Sequence, residues 1–365
     1  MSGPEGRPAR AAHGPRATGP GSDGAAPLAD LVARVVAGHD LSAAESEAAF
    51  ACIMCGDAGP ALAAALLVAL RAKGEAPAEV AGGVRALRGA MVPLPVDDVD
   101  GVVDTAGTGG GALTTFNIST AAALVAAGAG VRVAKHGNRS FTSRCGSADV
   151  LEALGVRIDL APEALARVFG EAGIVFMFAP LMHPAMRHVG PVRRELGMFT
   201  IMNVLGPLTN PARVRRQVIG VSDPALLDLV AEALRELGHE RALVVHGAPG
   251  LDELSPLGTT RVREVDGAEL RAYEVSPADF GWDGLDAAEL AGGSPAENAR
   301  TIERILGGEG GPARTAAVAL NAGAAIYAAG MAPTLGGGVA AAGRAISTGA
   351  GAEALERLRR ASAAG

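Results

Sequence analysis

The sequence has few aromatic side chains: phenylalanine, tyrosine and tryptophan make up 3% of it, with a single tryptophan. Its core must therefore come from alanine, valine, leucine and isoleucine. A hydrophobic fraction of 49% supplies enough of these for two domains, or for one large domain with a satellite. Cysteine is scarce as well. Cys52, Cys55 and Cys145 are too few for a disulfide framework and suit a reducing cytoplasm. Cys52 and Cys55 form a lone C-x-x-C in a helix-like run. With no second ligand pair downstream, they read as two small core residues one helical turn apart rather than a metal or redox pair. No apolar run reaches the ~18–20 residues of a membrane span; the longest, such as Ala121 to Ala127, fall well short. Positive charge is not in excess, and a net charge of −7 speaks against non-specific nucleic-acid binding, where a basic face supplies most of the affinity. Residues 1–26, rich in Gly, Pro, Ala and Arg, lack the apolar stretch of a secretory signal and are expected to form a disordered tail.

What is plentiful is glycine, 51 residues of it, which permits tight turns and close helix packing. From Leu28 to about Met91 the apolar spacing is helical, as in Leu28, Leu31, Val32, Val35 and Val36. Ser42 with Glu45 reads as a capping pair, Gly74 as a C-cap, and Pro77 as a helix opening. After Pro93-Leu94-Pro95 the texture changes. Strand candidates at Val102–Asp104, Val131–Lys135, Ile174–Phe178, Gln217–Val221 and Ala242–His246 alternate with helix candidates at Ile118–Gly128, Ala148–Leu154 and Ala225–Leu237. Such alternation implies a mostly parallel sheet covered on both faces. Arg314–Ala329 and Gly336–Ala363 read as two closing helices.

Four segments carry chemistry. Asp104 to Thr120 runs strand, glycine loop, hydroxyl-rich turn, helix. Its glycines let backbone N–H groups approach an anion, and the helix N-terminus adds partial positive charge. It lacks the Gly-Lys-Ser/Thr of a Walker loop and does not fit the dinucleotide fingerprint, so it reads as a phosphate cradle of another kind. Lys135-His-Gly-Asn-Arg-Ser-Phe-Thr-Ser143, with Gly146-Ser147 after it, packs two cations, an amide and hydroxyls into a loop at a strand end, where open α/β sheets bind ligands. His183 to Arg194 is a third. Arg193 and Arg194 point about 100° apart on a helix, so only one can face a pocket and grip a carboxylate. The fourth is His246 to Ser255, in which adjacent Asp252 and Glu253 after a strand suit Mg²⁺, a cation that takes one or two carboxylates and completes its shell with water and phosphate.

These segments, in this order, together with Asn203-Val-Leu-Gly-Pro-Leu-Thr-Asn-Pro211 and Gly292-Gly-Ser-Pro-Ala-Glu-Asn-Ala299, are similar to the anthranilate phosphoribosyltransferases from Leu28 onward. The resemblance implies an α/β fold of the nucleoside phosphorylase/phosphoribosyltransferase class, with a small helical domain beside a larger α/β domain built on a mostly parallel central sheet. The helical domain would span residues 27–95, with helices contributed by 183–205; the catalytic domain would span 96–182 and 206–365. It implies a cytoplasmic homodimer that joins anthranilate to phosphoribosyl pyrophosphate (PRPP) in tryptophan biosynthesis. PRPP would meet Gly107, Gly110, Gly111, Thr115, Asn117, Ile118, Ser119, Thr120, Lys135, His136, Gly137, Asn138, Arg139, Ser140, Phe141, Thr142, Ser143 and Ser147. Anthranilate would meet Gly107, Asn138, His183 and Arg193, and Mg²⁺ would be held by Ser119, Asp252 and Glu253. The chain departs from the family pattern at Gly111, where Asp is usual, at Phe199 and Met202, where Arg and Phe are usual, and at Cys145, where Ser is more usual. A specialised paralogue using a substituted aminobenzoate, a pyrimidine nucleoside phosphorylase, and a catalytically impaired nucleic-acid-binding relative are the competing readings.

Overall fold

The computed structural model describes residues 27–96, 98–140 and 144–365; the expected tail and the candidate ligand residues Phe141, Thr142 and Ser143 lie outside them. Four helices open the described chain: α1 (Leu28–Val36), α2 (Ala43–Cys55), α3 (Pro60–Lys73) and α4 (Pro77–Ala90). Their limits follow local chemistry. Ser42 and Glu45 form a reciprocal capping box at the start of α2, Gly56 at φ 84° ends it, and proline opens both α3 and α4. One expectation fails here. Cys55 is exposed and Cys52 half-buried, because the buried stripe of α2 is Ser46, Ala49, Phe50, Ile53 and Met54 and the cysteines flank it. Among the described residues no group of three or more His, Cys, Asp or Glu is arranged to hold a metal ion.

The remainder runs β1 (Val103–Gly107), α5 (Ile118–Gly128), β2 (Val133–Gly137), α6 (Ser147–Ala153), α7 (Pro162–Ala172), β3 (Ile174–Phe178), α8 (Ala179–Met182), α9 (Gly190–Leu196), α10 (Ile201–Leu208), β4 (Arg216–Gly220), α11 (Leu226–Glu236), β5 (Arg241–Gly247), β6 (Thr260–Asp266), β7 (Glu269–Val275), α12 (Pro295–Leu306), α13 (Pro312–Ala328), α14 (Leu335–Ser347) and α15 (Ala350–Ala363). The seven strands lie in the order β3-β2-β1-β4-β5-β6-β7. The first five are parallel to their neighbours, and β6 and β7 extend the sheet as an antiparallel hairpin. The single closing helix expected over Gly336–Ala363 is two helices, because Gly349 adopts φ 75° between α14 and α15.

The sheet separates two apolar cores. Along β4 and β5 successive side chains point to opposite faces. Val218, Leu243 and Val245 join the larger core with α5, α13 and α15. Ile219, Ala242 and Val244 join the smaller one with α11, the N-terminal helices, and Val192, Ile201 and Leu205 of α9 and α10. Strands buried on both faces read as continuous apolar runs, which is why Ala242-Leu-Val-Val245 shows no alternation in the sequence. Among the described residues, no helix is long and apolar enough to cross a membrane.

Candidate active site

Strand β1 has β2 on one side and β4 on the other, so the winding direction reverses between β1 and β4. Open α/β sheets bind ligands outside the carboxyl ends of strands at such a point. Four adjacent parallel strands here, β1, β2, β4 and β5, all end in glycine: Gly107, Gly137, Gly220 and Gly247. Each is glycine because something lies where a Cβ would be. A Cβ on Gly107 would sit 2.4 Å from Asp252 Oδ2, on Gly137 2.2 Å from Ser147 Oγ, on Gly220 1.5 Å from the Asp252 carbonyl oxygen, and on Gly247 2.4 Å from the Glu253 carbonyl oxygen. The loop carrying Asp252 and Glu253 therefore lies flat across the strand ends.

The glycine loop is sewn to that loop. The N–H of Thr108 donates to the Gly220 carbonyl at 2.9 Å, and that of Ala112 to the Gly250 carbonyl at 2.8 Å. The Gly109 N–H donates to Asp252 Oδ2 at 2.9 Å. Gly110 and Gly111 keep their N–H groups without a partner among the described residues, with Gly109 and Gly110 at φ 69° and 83°. These two free donors are what remains of the cradle for an anion. Asn117, at the start of α5, ties loops together instead of capping its helix: its Nδ2 donates to the Cys145 carbonyl at 3.1 Å and its Oδ1 accepts from Asn298 Nδ2 at 2.9 Å. Ile118 and Thr120 turn into the core, and Ser119 lies between the carboxylates and Lys135. Thr115 forms an isolated antiparallel bridge with Ala291.

Lys135 is buried, with its Nζ donating to the Thr105 carbonyl and lying 3.4 Å from both Thr105 Oγ1 and Ser119 Oγ. Burial depresses it, and Asp104 and Glu253 pull it back up. Asp104 is wholly buried and accepts from the His136 N–H at 3.2 Å and from Asn210 Nδ2 at 2.8 Å. Burial pushes the Asp252 carboxyl up, and burial together with the charge of Asp252 holds Glu253 well above the usual carboxylate range, against the pull of Lys135. One ammonium thus serves two carboxylates, Asp104 and Glu253. Thr105, Ser119, Asp252, Glu253 and Asn321 line a cavity of about 10 Å³, close to the size of one water. Two adjacent carboxyl groups beside a hydroxyl, all hard oxygen donors, fit Mg²⁺. A larger groove, about 580 Å³, opens at the other end of β5 near Gly238 and Gly267, lined mainly by Glu232, Arg235, Glu236 and Glu240. It lies away from the strand ends that carry these groups.

Residues 138–140 follow β2 in the same region. Asn138 N–H donates to Ser147 Oγ at 3.2 Å, and Arg139 turns its guanidinium to Asp149 and Glu152. That side chain is occupied on its own side of the loop, and the Ser140 N–H also reaches Asp149 Oδ2 at 3.4 Å. His136 and His183 stack with ring centroids 4.9 Å apart. Both are buried, and the Nε2 of each has no hydrogen-bond partner among the described residues. Burial lowers His183 to about 4, opposed by a hydrogen bond to the Thr209 backbone. Arg193 in α9 is half-buried, and its side chain makes neither ion pair nor hydrogen bond among the described residues, while its neighbour Arg194 is exposed. Motif reading passed over Gly220, Asn210, Asn298 and Asn321, which hold the site from behind. The Thr-Asn-Pro and Glu-Asn-Ala motifs contained two of them, but nothing local marked their partners.

The comparisons with known proteins identify the family. Residues 29–91 match the glycosyl transferase family helical bundle domain and residues 99–352 its a/b domain. An anthranilate phosphoribosyltransferase of Rubrobacter xylanophilus is 52% identical over 337 residues, covering 92% of this chain and 97% of the relative. The corresponding protein of Thermomicrobium roseum is 51% identical, with the same shares covered. This chain belongs to the anthranilate phosphoribosyltransferase family. Among solved structures of that family, the Thermus thermophilus enzyme superposes with a TM-score of 0.87 at 46% identity, covering 92% of this chain and 99% of that one. The Saccharomyces cerevisiae enzyme, solved in complex with PRPP and Mg, gives 0.82 at 25% identity, covering 92% and 98%.

Proposed function

We propose that this chain transfers the 5-phosphoribosyl group of PRPP to the amine of anthranilate, giving N-(5-phosphoribosyl)anthranilate and pyrophosphate, as the second step from chorismate to tryptophan. The observation that carries the reading is the convergence, over four glycine-ended strands, of the Gly110–Gly111 N–H pair, the buried Lys135 and the Asp252–Glu253 pair. Such a set suits a ligand with two phosphate centres and a divalent cation.

In this reading the Gly110 and Gly111 N–H groups and the Lys135–Ser143 and Ser147 segment bind the phosphates, as the family resemblance implies for Phe141, Thr142 and Ser143 too. Asp252, Glu253 and Ser119 would hold Mg²⁺, which when bound supplies charge neutralisation for the leaving pyrophosphate. The C1′–N bond forms as the C1′–O bond breaks. Pyrophosphate leaves with the electron pair, and the proton lost by the amine passes to solvent. An aromatic amine is already neutral, so the protein has chiefly to aim it. Arg193 is the free cation for the acceptor carboxylate. His183, neutral and hydrogen-bonded to Thr209, offers its unpartnered Nε2 to the amine. Asn138 and Gly107 complete the acceptor contacts. Exposed Val36, Leu62 and Val68 on α1 and α3 support a homodimer through the helical face, and the scarcity of cysteine, three in the whole sequence, suits the cytoplasm.

The test is the loss of anthranilate fluorescence on mixing protein, PRPP and Mg²⁺. A decay that needs both PRPP and Mg²⁺ supports the proposal. Turnover only with a ring-substituted aminobenzoate would replace the acceptor, and phosphorolysis of thymidine or uridine would replace the reaction.

A further inference from the structure

Helix α13 is built almost wholly of alanine and other small or apolar residues, and Asn321 is the amide in its buried stretch. An amide in such surroundings is costly unless its hydrogen-bonding groups are used. Asn321 uses three. Its Oδ1 accepts from the Leu254 N–H at 3.0 Å, and its Nδ2 donates to the Leu254 carbonyl at 2.9 Å and to the Ala317 carbonyl one turn back at 2.9 Å. Gripping both the N–H and the C=O of one residue is what a neighbouring strand does in an antiparallel ladder. The residue gripped is the one that follows Glu253.

The opposite side of the loop rests on Gly220 and Gly247, where the carbonyl oxygens of Asp252 and Glu253 occupy the space of a Cβ. The loop is therefore clamped between the strand ends and Asn321. Asn321 also lines the small cavity between Thr105, Ser119, Asp252 and Glu253. Two adjacent carboxylates in a buried loop repel each other, so their spacing needs an external hold. Elsewhere on α13 a different polar tie anchors the helix: Tyr327 Oη donates to Glu264 Oε1 at 2.7 Å. That bond joins α13 to the β6–β7 hairpin and touches no part of the carboxylate loop.

We propose that Asn321 is a positioning residue, which sets the separation of the Asp252 and Glu253 carboxylates by clamping Leu254 and thereby tunes the affinity of the pair for a divalent cation. The proposal rests on the metal-assisted reading above. Residues that orient metal ligands without touching the metal typically contribute about 10–100-fold in affinity.

The test uses Mn²⁺ as the probe, with free Mn²⁺ followed by electron paramagnetic resonance in the presence of pyrophosphate, on the wild-type protein, Asn321→Ala, Asn321→Leu and Tyr327→Phe, alongside thermal unfolding. The leucine variant keeps roughly the volume of the side chain and adds no charge to the cavity, but makes neither bond to Leu254, so it keeps the question answerable should the alanine variant not fold. The expected result is Mn²⁺ binding weakened about 10–100-fold in the Asn321 variants and unchanged within about twofold in Tyr327→Phe, even though all three lower the melting temperature. Asn321 variants that bind Mn²⁺ like wild type overturn the proposal. So does a Tyr327→Phe variant that loses as much affinity as they do, which would make the effect one of general stability. A wild-type protein that binds no Mn²⁺ overturns the metal reading itself, and a wild-type protein that binds Mn²⁺ yet transfers no phosphoribosyl group leaves the clamp intact and overturns only the assigned reaction.

Discussion

The Asp252 carbonyl lies directly over Gly220, so close that a Cβ there would stand 1.5 Å from its oxygen. Gly220 pairs in register with Gly107 of β1, whose own Cβ position is taken by the Asp252 carboxylate. A single methyl group at residue 220 must therefore push the carboxylate loop off the sheet. Gly220→Ala is expected to lower kcat/KM by ~100-fold or more, since displacing a catalytic group by about 1 Å costs that much. Gly170 has open space around it within α7, so Gly170→Ala is expected to leave activity unchanged and stability equal or higher, by roughly 0.5–1 kcal/mol. Steady-state kinetics on both variants decide it, and a fully active Gly220→Ala would show that the loop is not held where we describe it.

Arg193 and Arg194 test the acceptor assignment as a pair. The first is half-buried and without a counter-ion, the second exposed. A charge-assisted hydrogen bond contributes ~1.5–3 kcal/mol, so Arg193→Ala should raise the KM for anthranilate by ~10–100-fold and hardly alter the KM for PRPP. Arg193→Lys should recover only part of this, because an ammonium cannot bind a carboxylate through two parallel bonds. Arg194→Ala should behave as wild type. Equal effects from the two alanine variants would place the carboxylate elsewhere.

Much of this was legible in the residues. Proline and glycine marked the helical domain, down to Pro60, Gly74 and Pro77. The apolar runs gave the five parallel strands to within two residues at their starts, and residues 108–111, 138–140 and 252–253 all follow the carboxyl ends of those strands. What escaped was what depends on distant partners. Asn210 reaches back 106 residues to Asp104, Asn321 reaches 67 to Leu254, and Asn298 reaches 181 to Asn117. No periodicity or spacing announces such a bond. The β6–β7 hairpin is a different case: Asp266-Gly267 between two alternating runs is a hairpin signal present in the sequence. The helix break at Gly349 was equally local, yet Gly is common enough in α14 to disguise it.

Three of the seven histidines should stay neutral well below neutral pH. Burial lowers His183 to about 4 and His239 to about 3, and burial with the charges of His183 and Lys135 holds His136 well below its ordinary value. The sign follows. Each folded pKa lies below the unfolded value of about 6.5, so on acidification the unfolded chain takes up protons that the fold refuses. For His239 stability is lost from about pH 6.5 downward at ~1.4 kcal/mol per pH unit, roughly 2 kcal/mol by pH 5. Asp252 and Glu253, with raised folded values, contribute in the opposite direction, so titration of individual imidazoles is the cleaner measurement. Heteronuclear NMR between pH 8 and pH 5 should find His136, His183 and His239 unprotonated throughout. A midpoint near 6.5 for any of them would mean that it is not buried as described.

The last prediction concerns the helical domain, far from the chemistry. Glu79 is fully buried in α4 and serves three donors: Oε1 accepts from the Leu41 N–H at 3.0 Å, and Oε2 accepts from the Ala76 N–H at 2.8 Å and from Lys73 Nζ at 3.1 Å. It thereby joins the segment before α2, the end of α3 and the start of α4. Removing the carboxylate strands the buried Leu41 N–H and the part-buried Ala76 N–H and takes one partner from Lys73, which keeps Asp40. Breaking a buried pair in this way costs ~3–5 kcal/mol. Glutamine is nearly the same shape but turns an NH₂ donor toward one of the donors it must satisfy. Glu79→Gln should therefore be almost as damaging as Glu79→Ala, whereas Arg34→Ala, which breaks an exposed pair with Glu45, should cost under about 1 kcal/mol. Urea denaturation curves on the three variants separate these outcomes, and a Glu79→Gln protein within about 1 kcal/mol of wild type would show that the domain is not held together through this carboxylate.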